Sequence, residues 1–135
     1  QWQKHGSWSE TVGGPYLRAF DPDGSTLYGL DITVHPMHRR LGIGRAFYGE
    51  RYRLVEQRGL ARYGTACRIP DYRAFATSHP ETGVEEYVER VVRGEAADRT
   101  LTPLLRMGLE FVEVLRGYMD DEESVNAAAL LERRR

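Results

Sequence analysis

The chain has 135 residues, 19 of them Lys or Arg and 20 Asp or Glu, for a formal net charge of −1. That length predicts one domain (1–135) with room for a hydrophobic core, and a charge so close to balance excludes a global field drawing the protein to nucleic acid or a membrane. No run of 18 apolar residues marks a membrane span, no secretory leader is visible, and a single cysteine, Cys67, excludes an internal disulfide, so the expectation is a soluble, cytoplasmic protein.

Residues 1–14 show no clear period and read as an irregular lead-in. Residues 15–20 read as a short strand, and Asp21-Pro22-Asp23-Gly24 as a turn, with proline where the dihedral is preset and glycine where it must be permissive. Leu30, Ile32 and Val34 alternate with Gly29, Asp31 and Thr33, which predicts a strand over 26–34, forming a hairpin with 15–20 and ending before Pro36. Past Gly42 the apolar spacing becomes helical, and Gly59 is placed to end that helix. Tyr48 and Tyr52, one turn apart on it, read as packing residues. A strand over 60–69 follows, parallel to the first because a helix of this length is the usual crossover, and Pro70 ends it.

Residues 77–80 read as a polar linker, and Thr82 with Glu85 has the spacing of a capping box. Val84, Tyr87, Val88, Val91 and Val92 then form the clearest amphipathic stripe in the chain, closed by Gly94. Thr102-Pro103 predicts the start of a short helix ending at Gly108. Strands over 109–115 and 127–132, separated by the acidic loop 120–123, are expected to pair antiparallel.

The chemistry concentrates at 34–45, where Val34-His35-Pro36-Met37-His38-Arg39-Arg40-Leu41-Gly42-Ile43-Gly44-Arg45 joins strand to helix. Gly42 and Gly44 permit close backbone approach to a ligand, and the free N–H groups and dipole of the next helix favour an anion. His38, Arg39, Arg40 and Arg45 add positive charge. No Gly-Lys-Ser/Thr follows the glycines, so a nucleotide P-loop fits less well.

This Val-x-Pro-x-x-Arg-Arg-x-Gly-x-Gly pattern resembles the pyrophosphate loop of the GCN5-related N-acetyltransferases. The resemblance runs by pattern from about residue 15 to the C-terminus. More narrowly, Glu85 to Glu95, Leu101-Thr102, Asp121 to Ser124 and Ala128 to Glu132 resemble a subgroup whose acetyltransferase domain is often joined to a carbon-nitrogen hydrolase domain. It implies an α/β (α+β) fold: a mixed, mostly antiparallel sheet with two splayed parallel central strands and flanking helices. It further implies acetyl-CoA as co-substrate, bound by Ile32, Thr33, Val34, Arg39, Arg40, Leu41, Gly42, Ile43, Gly44 and Arg45. The implied reaction is direct transfer of the acetyl group to a primary amine of a small molecule, peptide or protein. The alternative is a non-catalytic acyl-CoA-binding module that regulates a partner enzyme or domain.

Members of that family carry a strand, helices and a further strand before the cofactor strand, whereas 25 residues precede Thr26 here. Three expectations stay open: a shortened form, a fragment lacking its beginning, or a chain completed by a second copy or partner domain. The catalytic residues are not assigned by the sequence. Asp31 is the carboxylate within the cofactor strand, where alternation favours a structural role. Tyr72, past the second splayed strand, is the candidate proton donor to the thiolate, with a packed tyrosine as the competing reading, and Tyr118 is a second candidate. His35 and His38 read as anion contacts or surface residues, and His5 and His79 have no ligand spacing, so no metal site is expected. Cys67 is expected to be a buried, inert thiol.

Overall fold

Strand β2 (Arg62–Cys67) is the axis of the sheet in this computed structural model, which describes residues 6–135. The expected lead-in before Gly6, His5 included, lies outside the described residues. Strand β1 (Thr26–Gly29) runs parallel to β2 on one side, and β4 (Ala128–Arg134) runs antiparallel to it on the other. Strand β3 (Glu110–Leu115) pairs antiparallel with β4, with a register irregularity between Phe111 and Glu113, so the strand order is β1-β2-β4-β3. Helix α2 (Ile43–Gln57) makes the crossover from β1 to β2 and ends as the sequence suggests, with Gly59 in the left-handed region at φ +63.

Alternation along β4 divides the interior in two. Ala129 and Leu131 face a large core shared with Tyr63 and Cys67 of β2, Val55 of α2, α4 (Val84–Val92) and α5 (Leu101–Arg106). Ala128 and Leu130 face a smaller cluster with Leu115 and Tyr118 on the opposite side of the sheet, against which Ala66 and Met119 pack. Helix α4 buries Val84, Tyr87, Val88 and Val91, as its stripe predicts, and leaves Val92 exposed.

Several expectations are corrected. Residues 15–20 form no strand and no hairpin: Leu17 sits at φ +52, and its N–H and that of Phe20 are taken locally by the carbonyls of Gly14 and Leu17. The lead-in contains a short helix, α1 (Trp8–Val12), because Ser7 accepts from the Glu10 N–H at its start and Gly13 closes it at φ +78. The strand expected over 26–34 stops at Gly29. Helix α3 (Tyr72–Ser78) occupies a stretch partly expected as linker. Thr82 and Glu85 form no capping box, since Gly83 is the cap residue and Glu85 binds Arg116 instead. The start of α5 is capped from upstream: buried Asp98 accepts from the N–H groups of Thr100 and Leu101, while Thr102 Oγ1 accepts from the Asp98 N–H. That reciprocal pair, rather than Thr102 itself, sets where the helix begins.

Candidate functional site

Gly29 is where β1 and β2 part. Its partner in the parallel ladder is Thr65, and the Thr65 hydroxyl donates to the Gly29 carbonyl at 2.9 Å. The Tyr63 ring lies so close beneath Gly29 that a Cβ there would fall 1.8 Å from the tyrosine oxygen. Arg51 of α2 completes the vertex: Nη1 donates to the Tyr63 hydroxyl at 2.5 Å and Nη2 to the Asp31 carbonyl at 3.0 Å. The carbonyls of Gly29 and Asp31 thus accept from side chains, and residues 30–34 leave the β2 ladder.

The divergence opens a cleft of about 920 Å³. One wall is 30–34 with Arg39, the other is Thr65, Ala66, Cys67 and Arg68, and Tyr48 and Arg51 line it from α2. Leu104, which belongs to the larger core, and Met119, which packs on the smaller cluster, both reach it, as do Trp8, Arg99 and Thr100. Since those two clusters lie on opposite faces of the sheet, the cleft passes through the sheet. Among the described residues no hydrogen-bond partner is found for the N–H groups of Ile32, Thr33 and Val34, which belong to one wall of the cleft.

Beyond that wall, the short 3₁₀ turn Pro36–His38 carries the chain to α2. Its start is fixed by His35, whose Nδ1 accepts from the Met37 N–H at 3.2 Å, and Arg39 Nε reaches back to the Val34 carbonyl at 3.0 Å. Arg40 adopts φ +63 and Gly42 φ +80, and Gly42 precedes α2 without any side-chain cap. The first helical bond runs from the Ala46 N–H to the Gly42 carbonyl, so the N–H groups of Ile43, Gly44 and Arg45 have no place in the helix ladder. A Cβ added at Gly42 or at Gly44 would meet nothing within 4 Å. Space, free donors, helix dipole and exposed Arg40 and Arg45 coincide, and these fit a diphosphate.

Of the predicted cofactor residues, Ile32, Thr33, Val34 and Arg39 line the cleft, while Arg40, Leu41, Gly42, Ile43, Gly44 and Arg45 form the turn and helix start that follow. Asp31 lines the cleft too, with its carbonyl held by Arg51. Tyr72 does not: it is buried, its hydroxyl donates to the Thr82 carbonyl at 3.1 Å, and its ring packs on Tyr87. Of the two readings of Tyr72, its surroundings match the packed one. Tyr118 is also outside the walls, its hydroxyl 2.8 Å from that of Tyr28. Cys67 reaches the cleft but is buried, and burial with the negative charge of Asp98 pushes its thiol up to about 12, so it stays protonated and inert at neutral pH.

The residues that sequence reasoning passed over are Tyr48 and Arg51. Burial, with Tyr63 beside it, raises the Tyr48 hydroxyl above the ordinary tyrosine value, which keeps it a proton donor throughout the neutral range. The Arg51 guanidinium lies within cation–π range of the rings of Tyr48 and Tyr63, 5.3 and 5.5 Å from their centroids. A signal was present: an arginine one turn from Tyr48 and Val55 lies at the border of the buried side of the helix. At the end of β2, Arg68 grips Asp121 with two bonds of 2.6 and 2.8 Å and also reaches Glu123, which Arg99 shares. This ties the β3–β4 connection to the cleft wall. Among the described residues, no group of three or more His, Cys, Asp or Glu could hold a metal ion, and no helix is long and apolar enough to cross a membrane.

A parallel strand pair that splays over a cleft, followed by an uncapped glycine turn, defines a class: the chain has the fold of the GCN5-related N-acetyltransferase superfamily. Its mixed sheet, mostly antiparallel with β1 parallel to β2, is the architecture the resemblance implied, except that among the described residues β1 ends the strand order and β2 alone of the parallel pair is central. No family model matches the chain. It is similar to an uncharacterized N-acetyltransferase, YkwB of Bacillus subtilis, with 35% identity over 126 residues covering 93% of this chain and 54% of that protein. It is also similar to a probable hydrolase, YhcX of the same organism, at 32% identity over 127 residues, covering 93% of this chain and 24% of that one. The chain thus spans about half of the first and a quarter of the second. Among solved structures, the GNAT-like decarboxylase GphF in complex with isobutyryl-CoA superposes with a TM-score of 0.70 at 20% identity, covering 98% of this chain and 69% of that one. The loading GNATL domain of CurA from Lyngbya majuscula gives 0.70 at 17% identity, covering 98% and 62%.

Proposed function

We propose that the protein is an acyl-CoA-dependent N-acyltransferase that moves an acetyl group from acetyl-CoA directly to a primary amine of a small molecule or peptide. The observation that carries this reading is the passage through the sheet, with an anion cradle at the start of α2 and unpaired N–H groups along 32–34. The cradle would hold the diphosphate and the strand continuation the pantetheine arm, so that the thioester lies in the passage. The co-substrate supplies an activated carbonyl. Donors of residues 32–34 would stabilise the oxygen as negative charge develops on it, and the fixed walls would align the two reactants. A neutral amine entering from the side of Trp8 and Met119 attacks the carbonyl carbon: the N–C bond forms, the C–S bond breaks, and the thiolate takes a proton. Tyr48, rather than Tyr72, is the cleft tyrosine placed to give that proton, and Asp31 is the cleft carboxylate available to take one from the amine.

A second reading is favoured by the limited span of the chain relative to the curated proteins and by the position of β1 at the end of the strand order. Here the chain binds acyl-CoA without turnover and acts with a second copy or a partner domain that completes the sheet at β1. The fold neighbours support acyl-CoA handling in both readings but differ in chemistry, one being a decarboxylase. Thiol release from acetyl-CoA, followed with a disulfide chromophore across a panel of primary amines, separates the two. Amine-dependent release supports the transferase; saturable CoA binding without release under any amine supports the module.

A further inference from the structure

We propose that Arg51 is a positioning residue that sets where the 30–34 wall of the cleft stands relative to β2, an inference that rests on the acyl-transfer reading for its kinetic part alone. Residues 30–34 have left the β2 ladder, so nothing in the sheet fixes their distance from β2. Arg51 supplies that restraint from α2. Its guanidinium spans from the Tyr63 hydroxyl, on the strand that forms one wall, to the Asp31 carbonyl, in the segment that forms the other. The planar fork makes both bonds at once, and the Tyr48 and Tyr63 rings lie beside it. Arg51 is partly buried at the vertex, and the adjoining Gly29 leaves no space for the Tyr63 ring to rise. The peptide unit that Arg51 holds consists of the Asp31 carbonyl and the Ile32 N–H, so its orientation is fixed where the 32–34 segment begins. Moving it carries the N–H groups of that segment away from the reacting carbonyl.

Two substitutions test this. Arg51→Met removes both bonds with similar bulk, and Arg51→Lys keeps a cation but replaces the fork by a point donor that serves one acceptor at a time. In the unliganded protein, the amide resonances of 30–34 are expected to move in both variants, more in Arg51→Met, while those of α4 and β4 stay in place. In acetyl-CoA turnover, kcat is expected to fall tenfold or more in Arg51→Met, with KM for acetyl-CoA within threefold and part of the loss restored in Arg51→Lys. Unmoved amides, or kcat and KM changing in proportion, or Arg51→Lys no better than Arg51→Met, would overturn the assignment. A wild-type protein that releases no thiol refutes the transferase reading instead, and the amide resonances then decide the role of Arg51 by themselves.

Discussion

Replacing Gly29 by alanine probes the vertex from which the cleft opens. The added methyl group would stand 1.8 Å from the Tyr63 oxygen, 2.7 Å from the ring carbon bearing it and 2.9 Å from Arg51 Nη1, so the tyrosine must retreat by more than an ångström and the guanidinium by a few tenths. Gly29 has no positive φ, so alanine meets no backbone strain, and the entropic gain of Gly→Ala would favour the variant by about 0.4–1 kcal/mol if space existed. Overpacking of a tight interior costs about 1–3 kcal/mol. Loss of the charge-assisted Arg51–Tyr63 hydrogen bond adds about 1.5–3 kcal/mol. The sum predicts a net loss of about 2–5 kcal/mol, measured by urea denaturation. Tyr63→Phe removes the atom in closest conflict, so Gly29→Ala should cost about 1–2 kcal/mol less in a Tyr63→Phe background, a coupling within the range for neighbouring residues. Gly29→Ala that unfolds at the wild-type midpoint, or two substitutions whose effects simply add, would refute the packing described for the vertex.

Gly42→Glu and Gly44→Glu should each abolish CoA binding by calorimetry while the far-ultraviolet spectrum is retained, since both sites have open space and Glu puts negative charge where the diphosphate is to sit; at Gly42 the φ of +80 adds about 1–2 kcal/mol of strain. Arg39→Ala and Arg40→Ala should weaken CoA binding more at low salt than at high salt, and a salt-independent loss would point to packing. Cys67 should resist alkylation by iodoacetamide at pH 8 in the native state and react on unfolding; native-state labelling at the rate of a free thiol would contradict its burial. Asp121 is held below the ordinary carboxylate range, first by its hydrogen bonds from Arg68, so its contribution to stability is present above the unfolded value and lost as pH falls through the lower folded one. Chemical denaturation between pH 6 and pH 2 should therefore show an acid-side decline that is shallower in Asp121→Asn, and an unchanged slope would remove the Arg68–Asp121 pair from the account.

The loop, the crossover helix, the α4 stripe and the late strand pair were legible because each has a local cause: glycine where the turn must open, helical spacing, or a run of β-formers. Where β1 ends was not. Alternation of Leu30, Ile32 and Val34 continues past Gly29, but pairing stops there, and the carbonyls of Gly29 and Asp31 accept from the side chains of Thr65 and Arg51, distant in sequence. Residues 15–20 misled because their composition suits a strand, whereas the backbone satisfies itself in local turns. Helix α3 follows Asp71, a residue type suited to a helix start, but that carboxylate accepts from the Arg99 N–H rather than from the helix, so the helix owes its start to distant packing. Tyr72 had a position suggestive of catalysis, yet orientation depends on the packing of α3 against α4, and there the hydroxyl finds Thr82. Conversely, Tyr48 reads as a packing residue until the splay shows that its helix forms part of the cleft.

The central claim is that the turn into α2 receives the diphosphate of coenzyme A and that the pantetheine arm enters the gap between 30–34 and β2. A crystal structure with CoA tests it most directly. The account predicts phosphate oxygens on the N–H groups of Ile43, Gly44 and Arg45, with the arm running beside Ile32 to Val34. Phosphates bound elsewhere on the molecule, with the α2 turn and the cleft both empty at saturating CoA, would contradict it.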